Sequence, residues 1–404
     1  MKNYSNAKKW LITIAIFSAT GFGAVVSPVI HTLSLEFPDV PMTTIRSITT
    51  IPSLISFICG LILASIVGKK VSYRTTLIFG LLLCAVGGSM PMFLNTSFTM
   101  IIISRVIYGF GFAVFAMRNA VITKAFGVEE SAKWMGYGGF IGSATNVVLG
   151  IISGDLGDIN WRYSFALHGL ALLALVVIIT LFIEPAAEAE PAAGSSAVSE
   201  KKFAAPHPTL ILYFLIILAG TLCLYPFFSS IFTFVADRGF GAATESGWTT
   251  SAYTAGGAVL GIFFGAVSKK IERWIMPLSC LICIAGYIAI LYASNIFFAI
   301  LGGGLCGAGF SWFSLVGARW ASGCSNDANR TLSMTIISSA ISGGSFISTY
   351  FISVCKKIGA YIPLFETEIE KTFLVGIIIF AVIFVITLVC DLNPQVLLRD
   401  KAHS

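Results

Sequence analysis

Apolar runs long enough to cross a bilayer recur along this chain, separated by short polar breaks. They fall near residues 10–32, 43–67, 75–94, 98–124, 134–154 and 163–183. They resume near 209–235, 246–268, 275–294, 296–320, 332–354 and 372–391. A helix needs about 20 predominantly apolar residues to span the hydrocarbon core. Soluble core helices of that length carry a polar face, and these runs mostly do not. The pattern therefore predicts twelve transmembrane helices. Between the sixth and seventh runs it stops: residues 184–208 read EPAAEAEPAAGSSAVSEKKFAAPHP, with no apolar periodicity. That stretch has too little apolar surface to offset chain entropy and is expected to be a flexible, solvated linker. The expected organisation is an N-terminal six-helix bundle (1–183), a linker (184–208) and a C-terminal six-helix bundle with a short tail (209–404). The first run follows Lys8 and Lys9, is too long for a signal-peptide core and lacks a small-residue cleavage site, so it is read as a spanning helix.

Composition agrees with the pattern and narrows the partners. The chain is 56% hydrophobic and 11% charged, with a mean hydropathy of +0.90. Its net charge of +6 is scattered between apolar runs, without a basic stretch interleaved with base-stacking aromatics, so no nucleic-acid partner is expected. When the N-terminus and alternate loops are placed in the cytoplasm, sixteen of the 25 Lys and Arg fall on that side and six outside. By the positive-inside rule both termini and the linker are cytoplasmic, in a multi-pass protein of the cell inner (plasma) membrane, surrounded by membrane lipids and expected to be a monomer. All nine cysteines lie within or at the ends of apolar runs. Cys280 and Cys283 have a C-x-x-C spacing but sit inside such a run, which reads as lipid-buried thiols with no metal or redox role.

The two halves repeat. Val67-Gly-Lys-Lys70 matches Val267-Ser-Lys-Lys270 at an offset of 200, and Tyr108-Gly-Phe-Gly-Phe112 matches Cys306-Gly-Ala-Gly-Phe310 at an offset of 198. Two matches at nearly one offset, at corresponding span positions, imply parallel repeats about a pseudo-twofold axis along the membrane normal. The fold class expected is all-α integral membrane, with twelve transmembrane helices in two pseudo-symmetric six-helix bundles.

The chain resembles the major facilitator superfamily along its whole length. Arg105-Val-Ile-Tyr-Gly109-Phe-Gly111-Phe-Ala113 is similar to the family's fourth-span R-x-x-Q-G-x-G-x-A, with Tyr108 in place of Gln. Trp161-Arg162-Tyr-Ser-Phe165 resembles the W-R-x-x-F that opens the sixth span, and Glu184-Pro185 ends that span as in many members. In the loop after the second span, Lys69 and Arg74 fit the family's basic positions, whereas Gly68 stands where an Asp is usual and Val71 where a Gly is. The resemblance implies two bundles rocking about a central cavity, with substrate bound near the midplane. It also implies conformational or proton-coupling roles for Arg105, Gly109 and Gly111, and a gating role for the basic loops at Lys69, Arg74, Lys269 and Lys270.

Ionisable groups inside a membrane are expensive and are the default site candidates. Arg118 and Arg319 occupy nearly equivalent places in the two halves. Either they snorkel to headgroups or they face the cavity and take a carboxylate or phosphate bidentately. Arg105 lies 13 residues from Arg118 on the same helix, about 20 Å away, so the two do not share one small ligand. Asn119, Asn146 and Trp312 are further candidates for the cavity wall. His168 is the one intramembrane group that titrates near neutrality, which makes protons a candidate coupling ion. No Asp or Glu falls clearly within a predicted span. The glycines of the fifth run, from Gly138 to Gly154, suit either close static packing or sliding. Tyr225-Pro226 is expected to kink the seventh span.

No catalytic or metal-ligand spacing is present in the sequence, and neither an enzyme nor a bound cofactor is expected. The leading expectation is a secondary active transporter that moves a small organic solute, an organic anion for preference, by rocker-switch alternating access. The alternative is a proton-coupled multidrug exporter of amphipathic compounds.

Overall fold

The computed structural model describes residues 4–68, 70–94, 96–126, 128–185, 209–324, 330–359 and 367–389. Among them the chain forms twelve helical rods, one for each apolar run. These are α1 (Asn6–Glu36), α2 (Met42–Ile66), α3 (Tyr73–Phe93), α4 (residues 98–126), α5 (Val128–Ile159) and α6 (Trp161–Leu181). After residues 186–208, which lie outside the described residues together with most of the expected linker, come α7 (Thr209–Asp237), α8 (Ala243–Lys270) and α9 (Ile275–Leu291). The series closes with α10 (Ile296–Gly323), α11 (Arg330–Gly359) and α12 (Glu368–Val389).

The rods obey the capping and breaking rules of ordinary helices. Ser72 and Ser97 cap α3 and α4 by accepting backbone N–H groups with their hydroxyls. Thr367 and Glu370 form a reciprocal capping box at the start of α12, which explains how Glu370, at 6% exposure, is buried. As the Tyr225-Pro226 pair predicts, α7 breaks at a turn on Tyr225 and restarts at Pro226. Tight turns at Ala19–Ala24 and Ser27–Val29 interrupt α1 around Pro28, whose missing N–H denies the Ala24 carbonyl its helical donor, whereas those at Val114–Met117 in α4 and Leu167–Leu170 in α6 have no prolyl cause.

Helix packing repeats with a step of six rods. In the first half α3 packs on α4 and α6, and α1 on α5 and α6; in the second, α9 packs on α10 and α12, and α7 on α11 and α12. The chain divides into two compact units, Met1–Ala187 with Phe228–Ser251, and Glu188–Phe227 with Ala252–Ser404. The segment 228–251 joins the first unit because the start of α8 is bonded to α5. Asp158 accepts the backbone N–H groups of Ala243 and Thr244 at 2.8 and 3.1 Å, and the Ser251 hydroxyl donates to the Val147 carbonyl at 2.9 Å. Here α5 runs on to Ile159, past the predicted end at 154, so Asp155 and Asp158 stand on the helix itself. A carboxylate at the N-terminus of α8 satisfies donors that the helix cannot pair internally.

At the other end of the first unit, the Glu184 carboxylate accepts the Tyr73 and Arg74 N–H groups, both at 2.7 Å, and ties the end of α6 to the start of α3. The Tyr4 hydroxyl both donates to the Ile183 carbonyl and accepts its N–H. Lys9 pairs with Glu130 at 2.6 Å, and that hydrogen bond, reinforced by the indole N–H of Trp134, lowers the Glu130 pKa from its ordinary value. The turn into α3 places Gly68 at φ +83°, a left-handed conformation that glycine adopts without strain.

Candidate transport site

The most buried cation among the described residues is on α4. Arg105 is 1% exposed, and its guanidinium donates to the Gly88 and Gly87 carbonyls of α3 at 3.0 and 3.4 Å. It also lies over the rings of Tyr108 and Phe165, at 5.0 and 5.1 Å from their centroids. Ring faces and carbonyl dipoles thus hold the charge, and no carboxylate among the described residues pairs with it. His168 from α6 completes the nest, packed against Phe22, Tyr108 and Phe165 and fully buried. Its Nδ1 lies 3.2 Å from the Phe165 carbonyl, which can only accept, so Nδ1 is the nitrogen that donates there. Nε2 of His168, the Tyr108 hydroxyl and the Ser89 hydroxyl are buried without a hydrogen-bond partner among the described residues.

Gly109 and Gly111 build the joint that supports this nest. A methyl group on Gly109 would lie 2.8 Å from Ile55 of α2, and one on Gly111 would lie 2.6 Å from the Gly80 carbonyl of α3. Glycine is what lets α4 press on both neighbours at once. Their counterparts Gly307 and Gly309 do the same on α10, against Tyr253 of α8 and against Ser279 and Cys283 of α9.

Arg118 follows the tight turn Val114–Met117 on α4. It is half-buried, donates to the Phe115 carbonyl at 2.9 Å and lies 5.7 Å from the Phe17 ring of α1. It has no carboxylate partner among the described residues. Arg319 on α10 reaches the Ser268 carbonyl of α8 at 3.5 Å. Trp312 is 5% exposed and donates its indole N–H to the Leu260 carbonyl at 2.7 Å, so it stitches α10 to α8. Asn146 is half-buried on α5, where the backbone runs close to the turn of α1 at Gly21. The side chains of Asn119 and Lys269, and the whole of Lys69, lie outside the described residues. Arg74 is exposed and donates to the Ile179 carbonyl at 2.5 Å, and Lys270 is exposed at the end of α8. The structure therefore brings Arg105, Gly109, Gly111 and His168 into one cluster within the first unit, and places Arg118 further along α4.

The fifth-run glycines divide by position. Gly138 and Gly142 face α1, Gly150 and Gly154 face α8, and a methyl on Gly139 would meet nothing within 4 Å. Arg46, within the predicted second span at 43–67, is 2% exposed near the start of α2, between the buried Ile45 and Ile48.

Comparison with known proteins assigns this geometry. The family model described as Major Facilitator Superfamily matches residues 11–244 and 239–402, nearly the whole chain. The chain belongs to the major facilitator superfamily. It is a transmembrane transporter of that family, and its solved neighbours share the fold. The nucleoside transporter NupG superimposes with a TM-score of 0.77 over 95% of this chain and 99% of its own, at 12% identity. The inward-open xylose transporter XylE from E. coli gives 0.70 over 94% and 96%, at 14% identity. In sequence, the chain is 33% identical over 139 residues to the multidrug efflux pump SdrM of Staphylococcus aureus (strain N315). That match spans 33% of this chain and 31% of the pump.

Proposed function

We propose that this transporter is a secondary carrier of a small organic anion, with Arg118 as the group that receives it. The observation that supports this is the setting of Arg118: a half-buried guanidinium beside a helix break, held by its own helix's Phe115 carbonyl and the Phe17 ring, without a carboxylate partner among the described residues. An intramembrane cation in such a setting is costly, and a carboxylate or phosphate that binds it bidentately offsets the cost. Arg319 is the corresponding group of the second half, with Asn119, Asn146 and Trp312 in the cavity wall. The bundles 1–183 and 209–404 rock about the linker 184–208, and Lys69, Arg74, Lys269 and Lys270 act in the loops that gate the motion. Arg105 and His168 serve coupling, with protons as the coupling ion. The protein works as a monomer in the cell's inner membrane, both termini cytoplasmic, as its Lys and Arg distribution supports.

A second reading, a proton-driven exporter of amphipathic compounds, is favoured by the similarity to SdrM. A thermal-shift screen of detergent-purified protein separates the two, with dicarboxylates and sugar phosphates set against lipophilic cations. A ligand at about 100-fold over its Kd stabilises the folded state by about 2.7 kcal/mol, a readily detected shift. Shifts from anions that vanish in Arg118→Gln are expected. Shifts from lipophilic cations that persist in Arg118→Gln would sink the anion reading in favour of export.

A further inference from the structure

Outside the transport site, the first unit contains a groove that nothing above uses. It lies between α2, α3 and α4, has a volume of about 330 Å³, and is lined by Cys59, Ile62, Val71, Phe79, Leu83 and Val114, among others. That volume is in the range of sites that hold small ligands or alkyl chains. Along α3 it extends from Thr75 to Leu83, about 12 Å at the helical rise. Its mouth opens sideways, since Ile62, Phe79 and Phe110 on its three helices are 56%, 59% and 46% exposed.

The chemistry of the wall selects the occupant. The two hydroxyls of the wall lie together at its Lys70 end: Thr76 donates to the Ser72 carbonyl at 2.8 Å, and Thr75 accepts from the Ser72 hydroxyl at 2.7 Å and keeps its own O–H. Along the rest of its length a guest is offered apolar burial and dispersion, which suits a hydrocarbon chain and wastes a polar ligand. Charge is found at one end only. Lys70 precedes the wall residue Val71, is exposed, and has no ion-pair partner among the described residues. With that end on the cytoplasmic side, as proposed above, the lysine stands at headgroup level of the inner leaflet.

We propose that this groove is a lipid site, holding one acyl chain of an anionic phospholipid of the cytoplasmic leaflet with its phosphate at Lys70. The site is distinct from Arg118, and a failure of the anion reading leaves it untouched. The test uses the full chain in phosphatidylcholine vesicles that contain phosphatidylglycerol with a diazirine midway along one acyl chain. Irradiation, digestion and mass spectrometry then map the adducts. The expected result is a several-fold excess of adducts at Ile62, Phe79 and Phe110 over Phe140, a residue of α5 outside the groove that is 67% exposed. Ile62→Trp fills the mouth from a position already exposed, so it leaves the core intact, and it should reduce that excess to parity. Lys70→Gln should abolish the preference for the phosphatidylglycerol probe over its phosphatidylcholine analogue. Equal labelling of Phe79 and Phe140 in the parent protein would overturn the proposal, because ordinary annular lipid would explain it. Displacement of the adducts by a lipophilic cation such as ethidium would also overturn it, making the groove a substrate port. A headgroup preference unchanged in Lys70→Gln would remove the phosphate from Lys70 and defeat the anionic assignment.

Discussion

The joint between α3 and α4 and the joint between α9 and α10 are two versions of one device. In each, a Gly-x-Gly presses the fourth rod of its half onto the second and third: Gly109 and Gly111 against α2 and α3, Gly307 and Gly309 against α8 and α9. In each, a cysteine thiol lies under the facing helix's carbonyl, Cys84 to Tyr108 at 4.0 Å and Cys283 to Cys306 at 3.9 Å. What the joints enclose differs. At the repeat offset of 198, Arg105 corresponds to Gly303 and Tyr108 to Cys306, so the charge at the first joint has a glycine as its counterpart in the second. The hydroxyl of Tyr287, in the second half, is fully used, donating to the Cys223 carbonyl at 2.6 Å. Those of Tyr108 and Ser89, and Nε2 of His168, are not. Shared packing around different side chains indicates that the glycines serve the fold of both halves, whereas the Arg105 nest belongs to the first joint.

The largest effect should come from breaking the shared part. Gly111→Val and Gly309→Val each place a branched side chain where a single methyl already lies 2.6 Å and 2.8 Å from a backbone carbonyl. Overpacking of that kind should cost each variant on the order of 3 kcal/mol, visible as a lowered melting temperature in detergent. Gly139→Ala, where a methyl meets nothing within 4 Å, should melt like the parent. If one half tolerates its valine and the other does not, the joints are not equivalent.

The next effect tests the unshared part. Arg105→Met leaves that position uncharged, as Gly303 is in the second joint. Removing a buried charge that lacks a carboxylate partner among the described residues should leave the melting temperature unchanged or raised. Transport should nevertheless fall at least tenfold, equivalent to about 1.4 kcal/mol in activation free energy. A parallel loss of stability and transport would instead make Arg105 a clamp that holds α3 to α4 through the Gly87 and Gly88 carbonyls.

The sequence made the shared part easy to read and the unshared part hard. Twelve rods follow from run length, because a bilayer fixes how many apolar residues a helix needs. The Gly-x-Gly repeat was visible because both copies keep the same small residues. The nest was not, because its parts come from α3, α4 and α6, and only the fold brings Gly88, Tyr108 and Phe165 around one guanidinium. The end of the fifth span was misread where a neighbouring helix satisfies a polar residue: α5 runs on to Asp158 and beyond, and α8 supplies the donors for that carboxylate. The breaks in α4 and α6 left no trace in hydropathy, since neither Val114–Met117 nor Leu167–Leu170 contains proline.

The smallest effect sharpens the comparison most cleanly, because it changes one oxygen in each half. Tyr287→Phe removes the donor to the Cys223 carbonyl, two residues before the break in α7, and leaves that buried acceptor one bond short. The expected cost is about 1 kcal/mol. Tyr108→Phe removes a hydroxyl that is buried without a partner among the described residues, so the cost of burying it disappears with it and stability should hold or rise slightly. Both variants keep the ring, and in Tyr108→Phe the face that holds Arg105 is retained. Unfolding in mixed detergent micelles, measured side by side, checks the pair. Equal losses would mean that the Tyr108 hydroxyl has a partner in the membrane after all, and the contrast between the bonded Tyr287 hydroxyl and the unbonded Tyr108 hydroxyl would fall. A loss confined to Tyr287→Phe, with transport altered only in Tyr108→Phe, would tie the unpaired polar atoms of the first half to the transport cycle.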